Sequence, residues 1–191
     1  GIMNIINQIE PTLESLAKGP LLRKVTALIL RILAVALVLS GLLAFLGGIA
    51  AIIEIIPYNL AHGLGITISL VLMILAVFLA VRILLFRARS ILICGENDYP
   101  VIHLSSILLR GCGELLALCW TTLGLTAGIL IWFSGTYSLQ GIPFPVIFAQ
   151  GPAFIAGLAA VLSALVMGVF ILIFFYLLAE LLLLLRKLAR G

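Results

Sequence analysis

The stretch "AAIIEIIPYNLAHG", residues 50–63, sets one carboxylate, Glu54, near the middle of a long tract that is otherwise almost all hydrocarbon. Its reading decides whether the surrounding residues form a hairpin of two membrane spans or carry an acid inside the bilayer. Glu54 is followed by Pro57, Tyr58, Asn59, His62, Gly63 and Gly65, turn formers and interfacial residues that fit poorly within a spanning helix. The chain is therefore expected to surface and turn here, with Glu54 at the headgroup boundary, where a carboxylate is tolerated. The sharper alternative takes the i, i+4, i+8 spacing of Glu54, Tyr58 and His62 as one helix face and an outward-facing proton or cation site. Pro57 interrupts that face.

Outward from this turn the composition is uniform. The 191 residues are 64% hydrophobic and 9% charged, with a mean hydropathy of +1.39, against roughly 25% charged residues in a soluble domain. So much apolar surface cannot be hidden in a chain of this length, which makes an integral membrane protein the expectation. Four tracts reach the roughly 20 apolar residues of a spanning helix: 25–53, 64–85, 115–133 and 154–185. Runs such as "LLAELLLLL" lack the alternation of barrel strands. The expected fold is all-α, a polytopic four-transmembrane-helix bundle of two helical hairpins with short interfacial amphipathic helices.

One such surface helix is expected at 2–18, where Ile2, Ile5, Ile6, Ile9, Leu13 and Leu16 recur at helical spacing. A second is expected in the loop 86–113, capped by Asp98 with Pro100 in its first turn. Each half of the chain thus reads as surface helix, span, outer turn and span, the pattern of a tandem duplication. The outer loop 134–152 is uncharged and rich in Gly, Pro and aromatic residues. It suits either an aromatic belt at the headgroups or a re-entrant lid over a hydrophobic ligand.

Every Lys and Arg precedes or opens the first span, closes the second span or lies in the 86–113 loop, or follows the fourth span. Because Lys and Arg resist translocation, both termini are expected in the cytoplasm, in a bacterial-type inner membrane. The net charge of +4 is spread along one membrane face without interleaved aromatics, which fits anionic lipid headgroups and not nucleic acid. Glu10, Pro11 and Glu14 occupy the place of a signal peptide's apolar core.

Small residues four apart let helices approach closely. The first span offers Ala36, Ser40, Ala44 and Gly48, the third Gly124 and Gly128, and the fourth Ala156, Ala160, Ala164 and Gly168. These stripes are expected to pack the bundle or a homo-oligomer. Arg31, Arg82, Glu114 and Glu180 sit at or within span edges at similar depth, as partners in an ionic belt or as snorkelling side chains.

Chemistry is sparsely signalled. Cys94, Cys112, Cys119 and His103 lack metal-ligand spacing, "GCGE" lacks the Lys of a phosphate loop, and no nucleophile–His–acid set occurs. No catalytic, cofactor or metal residue is assigned and no enzyme is expected. The central spans lack titratable groups at successive depths, which argues against a pump. What remains is a non-catalytic accessory or assembly subunit of a larger membrane complex, whose partners are the bilayer and other membrane subunits or itself. The alternatives are a small homo-oligomeric channel lined by Ser40, Thr67, Ser69, Thr121, Thr122, Thr126 or Ser163, and a lipid-handling protein.

Overall fold

The computed structural model describes residues 20–93, 100–135 and 152–188. Four helices account for nearly all of them: α1 (Pro20–Ile55), α2 (Leu60–Ile93), α3 (Pro100–Ser134) and α4 (Ala153–Leu188), with no strand among the described residues. Each is long and apolar enough to cross a bilayer. The chain is an all-α integral membrane protein. The expected surface helix at 2–18 and most of the 134–152 loop lie outside the described residues.

The ends of the helices follow from local chemistry. Pro20 and Pro100 open α1 and α3, where a missing N–H costs nothing. Pro57 stops α1: the Tyr58 and Asn59 amides donate back to the Ile55 carbonyl at 3.0 and 2.9 Å. Asn59 then caps α2, its Oδ1 accepting from the His62 amide at 3.0 Å. Gly135, with φ of 76°, ends α3 in the left-handed conformation that favours glycine.

The middle of the chain differs from the sequence reading. α2 does not end near residue 85 but runs to Ile93, and the residues expected as a separate surface helix are the first turns of α3. No proline interrupts α3 after Pro100, and Gly111 and Gly113 each cost a helix only about 1 kcal/mol. At 1.5 Å per residue the four helices are about 50 Å long, some 20 Å more than a bilayer core. Charge-free lengths adequate for that core run through 32–53 of α1, 60–81 of α2, 115–134 of α3 and 153–179 of α4. All of them start from the end of the molecule that carries the Ile55–Leu60 turn. The other end, where Arg23, Lys24, Arg82, Arg87, Arg89, Arg110 and Lys187 cluster, is the basic end.

Successive helices run antiparallel, and extensive packing joins α1 to α2, α2 to α3, and α3 to α4. The last pair is the closest. A β-carbon added at Gly124 would overlap that of Ala164, and one at Gly128 would stand 2.9 Å from the Gly157 carbonyl oxygen. Gly168 meets Thr121 in the same seam, and Ala127, Ile131, Ala156, Ala160 and Ala164 form its buried cluster. Trp132 closes the seam at the turn end, donating from Nε1 to the Phe154 carbonyl at 3.1 Å and stacking on the Phe154 ring.

The α1–α2 seam has a different period. Ala27 and Ala34 are buried with Leu84, Ala88 and Ile91, while Gly41 faces Val77 and Gly48 faces Leu70. The small residues of α1 step by seven, and their partners on α2 step back by seven, the spacing of a coiled-coil seam. The expected stripe stepped by four, which drifts about 40° around a helix at each step. Of that stripe only Gly48 reaches α2, while Ala36, Ser40 and Ala44 are exposed.

The two faces of α1 and the α3–α4 seam therefore respond differently to added volume. Gly124→Leu is expected to lower stability by about 1–3 kcal/mol through overpacking, and Ala36→Leu to change it by less than about 0.5 kcal/mol. Reversible unfolding in mixed micelles measures both. Equal losses would mean that the α3–α4 contact is not as close as described.

Candidate functional site

Three polar side chains from three helices meet at the basic end. Arg87 of α2 donates from Nε to Glu114 Oε2 of α3 at 3.2 Å and from Nη2 to Oε1, a two-pronged ion pair. Tyr176 of α4 donates its hydroxyl to the same Oε1 at 2.6 Å and accepts from Arg87 Nη2 at 3.3 Å. The side chains of Arg87 and Glu114 are 13% and 21% exposed, so the pair is largely withdrawn from its surroundings. The planar guanidinium fork matches the carboxylate plane, and the phenol takes up a remaining lone pair.

Backbone geometry makes room for the triad. A β-carbon at Gly111 would lie 3.3 Å from Arg87 Cγ, so the glycine leaves space for the arginine stem beside α3. Gly113 does the same for Phe175, bringing α4 close enough for its neighbour Tyr176 to reach Glu114. The Arg110 guanidinium carbon lies 5.5 Å from the centre of the Tyr176 ring, a cation–π contact on the phenol's face.

Of the four residues proposed for an ionic belt, Glu114 enters an ion pair, and its partner is Arg87 instead of Arg31 or Arg82. Arg31 and Glu180 are exposed. Arg82 lies over the Phe78 ring, 5.3 Å from its centre. Sequence reading placed Arg87 in a loop because it ended the second span near residue 85. The absence of any helix breaker between Arg82 and Ile93 is the signal that would have kept Arg87 on a helix, facing α3.

Near the turn end the proposed Glu54, Tyr58, His62 face is not assembled. Glu54 and Tyr58 are exposed on either side of the Pro57 break, and His62 instead pairs through Nδ1 with the Ser134 hydroxyl of α3. This contact ties α2 to α3 at the turn end, as the triad does at the basic end.

The hydroxyls considered for a pore are mostly turned into their own helices. Thr67, Thr121 and Thr122 donate to carbonyls four residues back at 2.9, 2.8 and 2.7 Å, and Ser40 and Ser163 to carbonyls three residues back at 3.0 Å. Ser69 is buried with its Oγ unpaired. Cys112 and Cys119 are free thiols, and among the described residues no three His, Cys, Asp or Glu side chains gather as metal ligands.

Beside the triad an open cleft of about 620 Å³ is lined by Arg82, Ile83, Leu85, Phe86 and Arg89 of α2 and by Glu114 of α3. It combines cationic and apolar walls. Two smaller grooves of about 260 Å³, one between α1 and α2 and one bounded by α1, α2 and α3, are apolar throughout.

Removing one member of the triad strands the others. Glu114→Gln is expected to cost about 1.5–3 kcal/mol and Tyr176→Phe about 1 kcal/mol, as for charged and neutral hydrogen bonds. The double variant should cost less than the sum, because Tyr176 and Glu114 share a bond. Strict additivity in a double-mutant unfolding cycle would show that the two side chains are not coupled. Comparison with known proteins finds no family model, no curated protein and no solved structure that matches this chain.

Proposed function

We propose that the protein is a non-catalytic subunit that helps assemble or stabilise a larger membrane complex, with its basic end and both chain ends in the cytoplasm of a bacterial-type cell. The orientation is supported by the gathering of Arg and Lys at one end, since such residues are retained on the side from which the chain inserts. That end also faces the anionic leaflet, which attracts basic residues.

The observation that carries the reading is the free face of α1. Only 6% of its most apolar window is buried, and among the described residues its one extensive neighbour is α2. The exposed side is not uniformly bulky, as contact with lipid alone would permit. It carries Ala36, Ser40 and Ala44 at the four-residue spacing that lets a second helix approach closely. Transport and catalysis both require polar groups within the membrane. Here most of the candidate hydroxyls are satisfied by their own backbones, and the ionic triad lies beyond the charge-free lengths of the helices.

Native mass spectrometry of the protein extracted from its own membranes in a mild detergent tests this reading. A second polypeptide at fixed stoichiometry is expected, and Ala44→Leu should reduce its recovery about tenfold, the loss of one close helix contact. A pure homo-oligomer would overturn the accessory-subunit reading in favour of a channel or transporter formed by identical copies. A monomer carrying only lipid would overturn both.

A further inference from the structure

The cleft at the basic end has a charge balance that its lining residues alone do not reveal. Its walls carry Arg82, Arg89 and Glu114. Glu114, however, is already held by Arg87 and Tyr176, so its carboxylate is not available to the arginines of the cleft. Arg82 rests on the Phe78 ring, and Arg89 is exposed. The cleft therefore presents two guanidinium groups without a carboxylate partner among the described residues, and a wall acid whose charge is neutralised from behind.

Depth and lining chemistry narrow what such a cleft would hold. Arg82 follows directly on the charge-free stretch 60–81 of α2, which places the cleft at the boundary between hydrocarbon and headgroups. A guanidinium fork matches the oxygens of a phosphate as well as it does a carboxylate. Ile83, Leu85 and Phe86 share the walls with the arginines. A free anion has no use for that apolar surface, whereas a phospholipid brings glycerol and acyl carbons directly beneath its phosphate. Basic pockets between spans on the cytoplasmic side are suited to such headgroups.

We propose that this cleft between α2 and α3 binds the headgroup of an anionic phospholipid, with Arg82 and Arg89 holding phosphate oxygens and Ile83, Leu85 and Phe86 lying against the glycerol and upper acyl chain. The Arg87–Glu114–Tyr176 triad builds the site's back wall and removes the negative charge that would repel the phosphate. The proposal rests on the reading of the basic end as a headgroup-facing surface, and it holds whether or not the protein has a polypeptide partner.

The full chain reconstituted into phosphatidylcholine vesicles doped with phosphatidylglycerol, then released in mild detergent for native mass spectrometry, provides the test. The wild-type protein is expected to retain phosphatidylglycerol in preference to phosphatidylcholine. R82Q/R89Q should lower that retention about tenfold or more. The charge-matched K24Q/K187Q, altered at exposed positions outside the cleft, should lower it less than about threefold, because distant charges act through screened solvent. R82K/R89K keeps the charge and the fold and should recover part of the retention but not the whole, since Lys lacks the planar fork.

Equal losses in the two charge-removing variants would overturn the site and leave only diffuse attraction to the surface. No loss in either would overturn the headgroup-facing reading as well. If inorganic phosphate displaced the lipid from the wild-type protein at comparable concentration, the cleft would be a site for a soluble anion and the lipid assignment would fall.

Discussion

Everything in this molecule depends on how closely its helices can approach one another. Within a bilayer an apolar side chain gains nothing by leaving lipid for another apolar side chain, so burial of Leu and Val does not hold spans together as it does in water. Close backbone approach, dispersion contact and a few polar links remain. The chain supplies the first through glycine and alanine placed on helix faces. Gly124 and Gly128 set the α3–α4 distance, and Gly41 and Gly48 set that of α1 and α2. Substituting bulk at Gly124 and Gly128 is costly because a β-carbon or a backbone carbonyl stands opposite and cannot rotate away, whereas Gly41 and Gly48 face the side-chain methyls of Val77 and Leu70.

The polar links described between helices lie near the ends, where their desolvation is least costly. The Arg87–Glu114–Tyr176 triad joins α2, α3 and α4 at the basic end, and His62 joins α2 to α3 through Ser134 at the turn end. α2 and α3 are thus tied at both ends, and α4 is held along its length by the tightest seam. α1 shares in neither polar link. Its attachment rests mainly on a heptad seam against α2, and only 6% of its most apolar window is buried, the smallest share of the four spans.

How much of this was legible from sequence varied with the physics involved. The spans were legible because a bilayer demands long charge-free runs, and the turn at Pro57 was legible because proline and asparagine act locally. Helix ends in the 86–113 region were not, since hydropathy falls where a helix leaves the hydrocarbon although the helix itself continues in water or among headgroups. That is why Arg87 was assigned to a loop and the partner of Glu114 was missed. The small residues of α1 show a further limit. A four-residue stripe and a seven-residue stripe coexist on that helix, and composition cannot say which one faces α2. Only the partner's own spacing, seven between Leu70, Val77, Leu84 and Ile91, selects between them.

Once the seven-residue stripe is taken up by α2, the four-residue stripe becomes informative in a new way. If Ala36, Ser40 and Ala44 were needed for the hairpin, their size would be explained by internal packing, but they point away from it. Facing outward, a row of small side chains leaves a furrow into which a second helix can pack closely. A span that docks on α2 with one face while presenting such a furrow on another has room for a second neighbour. The hairpin provides one, and under the proposed accessory role another polypeptide fills the other place. The tightly sealed α3–α4 pair, by contrast, places its small residues inside, against the backbone and β-carbons of the partner helix, whereas part of the small-residue set of α1 faces outward.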